Sequence, residues 1–183
     1  MGNEELISFM RKCSLEGKDS LIRIDNRKIL QVALSLLINR SSKRLDIFIL
    51  FEEGKVNELF EVLNSSIVIK NTADYLDLSS TKLTLMTNQP KKVRSSDFFK
   101  SIQHKETFVK SIAGDITKKL TQSGTKFNFI LGDNVSFALG GFEFSQCDSM
   151  PSFCNFNSSK HSGILSIFYN ELLNQSLNGG VNA

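Results

Sequence analysis

The residues with the most to offer chemically lie in one stretch of the C-terminal third: Lys126-x-Asn128, then Asp133, then Gly140-Gly141-x-Glu143-Phe144. Lys126, with Asp133 and Glu143 downstream, is a set that offers acid–base chemistry. The same trio also makes an ordinary salt-bridge cluster with no chemistry at all. A lysine near its usual pKa is protonated at neutral pH and is a poor nucleophile. The chain has only two histidines, His104 and His161, and both stand outside this stretch and read as surface residues. A second set is cationic. Lys91, Lys92 and Arg94 follow Pro90 in what reads as the clearest loop of the chain, with Lys100, Lys105 and Lys110 downstream. Such a loop can contact the phosphates of DNA or RNA. Against it stand a net charge of only +3 and aromatic–basic interleaving limited to Phe98-Phe99. Cys13, Cys147 and Cys154 show no two-residue spacing, so free thiols are expected, with no metal site and no cofactor.

The elements that must position these residues follow from periodicity. Leu21–Ile24 reads as a short strand and Asp25 as the N-cap of a helix carrying Ile29, Leu30, Ala33, Leu34, Leu37 and Ile38. Leu45–Phe51 is nearly all apolar, as in a strand covered on both faces. Val56, Leu59, Phe60 and Leu63 mark a short helix, Ile67-Val68-Ile69 reads as a buried strand, and Leu83–Thr87 as a strand with less cover. This alternation predicts βαβ units and an α/β fold with a mixed, largely parallel sheet flanked by helices on both faces. Phe108, Ile112, Ile116 and Leu120 form an i, i+4 row that predicts one helix. Phe127–Leu131 and Val135–Leu139 around Gly132-Asp133-Asn134 form the strongest local signal, a β-hairpin. Strands over Phe142–Phe144 and Phe153–Phe156 and a closing helix from Ser158 complete the chain.

Read across the hairpin, the motif resembles the signature of the phospholipase D superfamily: His-x-Lys, four residues, Asp, six residues, Gly-Ser-x-Asn. The order of elements over residues 20–175 is similar as well. The residues alone also admit another three-layer α/β fold, with Gly132-Asp133-Asn134 an unremarkable turn. In the family, the resemblance implies, the His attacks phosphorus, the Lys and Asn bind phosphate and the Asp supports the His. Here Lys126 stands at the His position, Asn128 at the Lys, Gly141 at the Ser and Glu143 at the Asn, while Asp133 and Gly140 are retained. Covalent catalysis does not run without its nucleophile, and Glu143 repels phosphate. The resemblance therefore implies a catalytically degenerate member acting as a binding or scaffold subunit. Single-motif members pair about a two-fold axis, which implies a homodimer through the face carrying Asp133 and Glu143, or a larger protein partner. Two alternatives stay open: a nucleic-acid-binding accessory protein using Lys91, Lys92 and Arg94, and a phosphodiesterase with altered active-site residues.

The 183 residues are 40% hydrophobic and 22% charged, the composition of an ordinary globular domain. No apolar run is long enough to span a bilayer, and no signal peptide is evident at the start, so a cytoplasmic protein is expected. The expected division is an N-terminal segment 1–19, a single domain 20–175 and a flexible tail 176–183. With Phe 15, Tyr 2 and Trp 0, most rings should fill the core.

Overall fold

In the computed structural model, residues 2–78, 80–133, 135–144 and 150–178 are described. Their elements run α1 (Asn3–Glu16), β1 (Ile22–Ile24), α2 (Arg27–Arg40), β2 (Arg44–Ile49), α3 (Glu58–Leu63), α4 (Ser66–Leu76), β3 (Lys82–Thr87), α5 (Pro90–Arg94), α6 (Asp97–Ile102), β4 (Thr107–Ser111), α7 (Gly114–Gln122), β5 (Asn128–Gly132), β6 (Ser136–Gly140), β7 (Ser152–Asn155) and α8 (Ser159–Asn178). The strands form one sheet in the order β1-β7-β6-β5-β2-β3-β4. The mixed α/β architecture with helices on both faces is as expected. The balance of the sheet differs: β2–β3 and β3–β4 are parallel, whereas β1–β7, β2–β5, β5–β6 and β6–β7 are antiparallel.

The physical reasons lie in particular segments. Ile67-Val68-Ile69 belongs to α4, because Val68, Thr72, Tyr75 and Leu76 continue one buried helical row and leave Ile67 exposed. The row Phe108–Leu120 divides into β4 and α7. Thr107-Phe108-Val109 has strand-forming side chains and joins β3 with Phe108 opposite Thr84, and α7 begins at Gly114. The basic loop is in part the one-turn helix α5, with Pro90 at its first position, where a missing N–H costs nothing. Asn26, not Asp25, caps α2 and accepts the Ile29 N–H at 3.0 Å. Residues Phe142–Phe144 form no strand: Phe142 is buried at φ +54°, and its N–H donates to Ser152 Oγ at 2.9 Å.

Two hydrophobic layers sandwich the sheet. On one face α1, α2, α3, α4 and α6 bury residues such as Met10, Leu34, Leu59, Val68 and Phe98 against Ile47, Leu85 and Ile130. Within the stretch 1–19, α1 thus gives Ile7, Met10 and Cys13 to the common core. On the other face α7 and α8 cover Phe48, Met86, Phe129 and Phe137 with Ile116, Leu165, Tyr169 and Leu172. Phe48 stacks on Phe129 at 5.3 Å between centroids and meets the edge of Phe168 at 5.6 Å. Cys13 and Cys154 are free and buried, and burial pushes the Cys154 thiol up to about 12. Cys147 lies outside the described residues, and α8 extends to Asn178, into the stretch expected as tail.

Gly140 shows how closely the central hairpin meets β7. A Cβ there would stand 2.5 Å from the Cα of Ser152 and 2.3 Å from its Oγ. Backbone cannot yield as a flexible side-chain tip does. Gly140→Ala should therefore lower the urea midpoint of unfolding by the equivalent of about 2–3 kcal/mol, the cost of an overpacked interior site.

Candidate functional site

Strand β5 carries the motif at the centre of the sheet, and strand geometry decides which of its residues meet. Asn128 opens β5 and Asp133 follows its last residue. At ~3.3 Å per residue the two lie roughly 16 Å apart, at opposite ends of the strand. Because β5 is antiparallel to both β2 and β6, the Asn128 end coincides with the carboxyl ends of β2 and β6. There Lys126, Asn128, Gly141 and Glu143 line one small cleft with Leu50, Glu52, Lys55, Val56 and Asn57. Gly140, opposite Asn128, stands beside it. Asp133 takes no part. The face expected to carry both Asp133 and Glu143 therefore does not exist; the two belong to opposite edges.

Asn128 is buried, and its carbonyl oxygen is occupied twice over. Its Oδ1 accepts the Leu50 N–H at 2.8 Å and the Asn57 Nδ2–H at 3.2 Å. Asn57 Nδ2 also reaches the Leu50 carbonyl at 3.3 Å, while its Oδ1 caps α3 by accepting the Phe60 N–H at 3.0 Å. Asn88 holds the next residue in the same way, through the N–H and the carbonyl of Phe51, both at 2.9 Å. Amide side chains thus stitch the chain leaving β2. One cation of the cleft is paired with both its carboxylates. Lys55 Nζ lies 2.7 Å from Glu52 Oε2 and 3.7 Å from Glu143 Oε1. The hydrogen bond to Glu52, then its charge, holds the Lys55 pKa above the usual lysine value, and Glu143 adds to this. Lys126 is exposed at the rim. The cleft leaves only about 10 Å³ for a water-sized sphere, room for roughly one water.

Asp133 serves the opposite edge. It adopts the left-handed conformation (φ +47°), which a short polar side chain tolerates. Its carboxylate accepts the N–H groups of Ser42, Lys43 (3.1 Å) and Arg44 (2.8 Å) and the Ser42 hydroxyl (2.8 Å). Burial raises its pKa, but these donors together outweigh burial and leave it below the ordinary aspartate range. Beside it, Arg44 Nε donates to buried Asp46, whose pKa burial raises against the pull of that guanidinium.

The expected nucleic-acid contacts Lys91, Lys92 and Arg94 are all exposed on α5, which follows β3 at the same edge as the cleft. Two of them also serve the fold. Lys92 Nζ sits 4.4 Å above the Phe51 ring and 5.8 Å from that of Phe60, and Arg94 Nη2 donates to the Val109 carbonyl at 3.3 Å. His104 is exposed, and His161 Nδ1 pairs with Ser158 Oγ at 2.9 Å, away from the cleft. The residues that sequence reasoning did not single out are Asn57, Lys55 and Glu52. Asn57 three residues before Phe60 carries a helix-capping signal, but nothing local announces that its amide also reaches Asn128.

No family model matches the chain, and no curated protein matches it. Among solved structures it resembles NucT from Helicobacter pylori, with a TM-score of 0.55 and 12% identity over 86% of this chain and 96% of that one. It resembles TrmBL2, described as an archaeal chromatin protein with a novel mode of DNA binding, with a TM-score of 0.55 and 9% identity over 94% of this chain. The chain spans 59% of the length of TrmBL2. Nuc from Salmonella typhimurium, a phospholipase D family member, gives a TM-score of 0.48 at 10% identity, over 79% of this chain and 87% of that one. The likeness to NucT fits the phospholipase D-like fold that the hairpin motif implied. At these identities the likeness is one of fold. No helix among the described residues is long and apolar enough to cross a membrane.

The Asp133 geometry makes a pH prediction. A carboxylate whose pKa is depressed on folding contributes stability that is complete above the unfolded value, near 3.8, and is lost as pH falls through the folded one. Asp133→Asn should lower stability at pH 7 by about 2 kcal/mol, since a neutral amide is a weaker partner for four donors. The gap between the two proteins in urea unfolding should hold from pH 7 to about 5 and narrow below pH 4.

Proposed function

We propose that this chain is a non-catalytic phospholipase D-like module that works as a binding or scaffold subunit, in a homodimer or with a larger protein partner. The observation that carries this reading is the commitment of Asn128. The residue at the family's phosphate-binding lysine position spends its carbonyl oxygen on Leu50 and Asn57. Around it, Glu143 and Glu52 set two carboxylates against Lys55 and Lys126. Such a balanced cluster offers a phosphodiester no net attraction. Lys126, at the nucleophile position, is an amine rather than an imidazole.

Incubation with a chromogenic phosphodiester such as bis(p-nitrophenyl) phosphate tests this directly. Release of nitrophenolate should not exceed that of buffer. Turnover that disappears in Lys126→Ala would instead establish a phosphodiesterase with altered residues.

A second reading has its own support. Lys91, Lys92 and Arg94 are exposed together at the carboxyl edge of the sheet, and TrmBL2, which shares the fold, is a DNA-binding protein by its description. In this reading α5 contacts DNA or RNA phosphates. Fluorescence anisotropy with labelled duplex DNA and single-stranded RNA at several salt concentrations decides it. Binding through α5 should weaken as salt rises, and the triple substitution Lys91→Ala, Lys92→Ala, Arg94→Ala should flatten the log–log slope by roughly two to three. Affinity that is absent, or indifferent to salt and to the triple variant, removes this reading.

A further inference from the structure

Helix α8 already has one face in the core, through Leu165, Tyr169 and Leu172. Its opposite face is not uniformly polar. Ile164 and Ile167 are 59% and 61% exposed, and the adjoining turns present exposed Lys160 and Glu171. A single exposed isoleucine needs no explanation. Two of them on a line with Lys160 and Glu171, at successive spacings of four, three and four residues, do. That is the seam along which one helix packs lengthwise on another.

The seam is also its own complement. The midpoint between Ile164 and Ile167 is the midpoint between Lys160 and Glu171. A second copy laid antiparallel about a two-fold axis at that point sets Ile164 on the partner's Ile167 and Lys160 on the partner's Glu171, and each pairing occurs twice. Parallel packing in register would instead set like charges together. The same axis brings the partner's Phe168 opposite Gly163. A Cβ at Gly163 would have nothing within 4 Å, so the protomer's own packing does not call for glycine there. Glycine inside a helix is destabilising relative to alanine, and a notch for an incoming ring gives it a use. The half-buried Phe168, whose ring packs inward on Phe48, Phe127 and Phe129, also borders the groove between α7 and α8.

We propose that the chain forms an isologous dimer through the outer face of α8, with the two α8 helices antiparallel and Ile164 and Ile167 at the axis. The inference does not rest on the reading of the motif cleft, which lies at the strand ends. It replaces the face expected from the family resemblance with one defined by charge and apolar complementarity.

Sedimentation velocity across the micromolar range tests it. The unaltered chain should run as a dimer that dissociates on dilution. Ile164→Ser with Ile167→Ser should weaken association by roughly a hundredfold, while helix content by circular dichroism and the urea midpoint at concentrations where the unaltered chain is monomeric stay unchanged, because both side chains are exposed. Lys160→Glu alone and Glu171→Lys alone should each weaken it roughly three- to tenfold at low salt, and the two together should restore it. That rescue is peculiar to the antiparallel, centred arrangement. A chain monomeric throughout the range, a dimer indifferent to the double serine variant, or a charge-reversed pair no tighter than the single variants would each overturn the proposal.

Discussion

The structure depends on the way β5 holds β2 at both of its ends. Asp133, just past the end of β5, gathers the N–H groups of Ser42, Lys43 and Arg44 as the chain turns from α2 into β2. Asn128, at the start of β5, takes the Leu50 N–H as the chain leaves β2. Between them the antiparallel ladder runs from Leu45 opposite Gly132 to Phe48 opposite Phe129. The five-residue separation of Asn128 and Asp133 thus matches the length of β2. A one-residue slip would break both clamps and turn Phe48 and Phe129 away from α8. The two parallel strands on one side and the antiparallel hairpin on the other are both registered against this pair.

That constraint gives the hairpin motif a reading free of catalysis. Asp133 and Gly140, the two positions where this chain keeps the family residue, both act on architecture here: one clamps the entry to β2, the other lets β7 pass against β6. The positions that differ lie at the cleft end, beside Gly140, where Asn128 acts as a second clamp and Glu143 as an ion-pair partner.

Much of this was legible in the sequence, and the exceptions have physical causes. The hairpin, α2 and α8 follow from local turn chemistry and unbroken periodicity. Ile67-Val68-Ile69 did not resolve, because three apolar residues satisfy a strand and a helix alike until Thr72 and Tyr75 extend the helical row. The antiparallel pairs beyond the hairpin were invisible for another reason. Ile22 pairs with Cys154, more than a hundred residues away, and no local signal encodes such a partner. At the candidate site, the list Lys126, Asn128, Asp133, Gly140, Gly141, Glu143 reads as one cluster only if strand rise is ignored. Five residues of extended chain already put Asp133 at the far edge. The partners of Asn128 were hidden, since Leu50 contributes only backbone and Asn57 showed only its capping role.

The near-neutral charge of the chain acquires a structural meaning at the cleft. Phosphate sites work by leaving donors or cations unsatisfied until the ligand arrives. Here several donors are already committed: Leu50 N–H and Asn57 Nδ2–H both end on Asn128 Oδ1, and Lys55 divides itself between Glu52 and Glu143. For a phosphate to enter, Lys55 would have to leave two carboxylates, which would then face the incoming anion unscreened. Lys92 is drawn the other way, onto the Phe51 and Phe60 rings, where its charge steadies the loop that Asn88 and Asn128 hold by hydrogen bonds. On the proposed reading, this commitment of amides and ion pairs at the cleft shifts recognition to surfaces outside it, such as the cations of α5 and the isoleucine seam of α8.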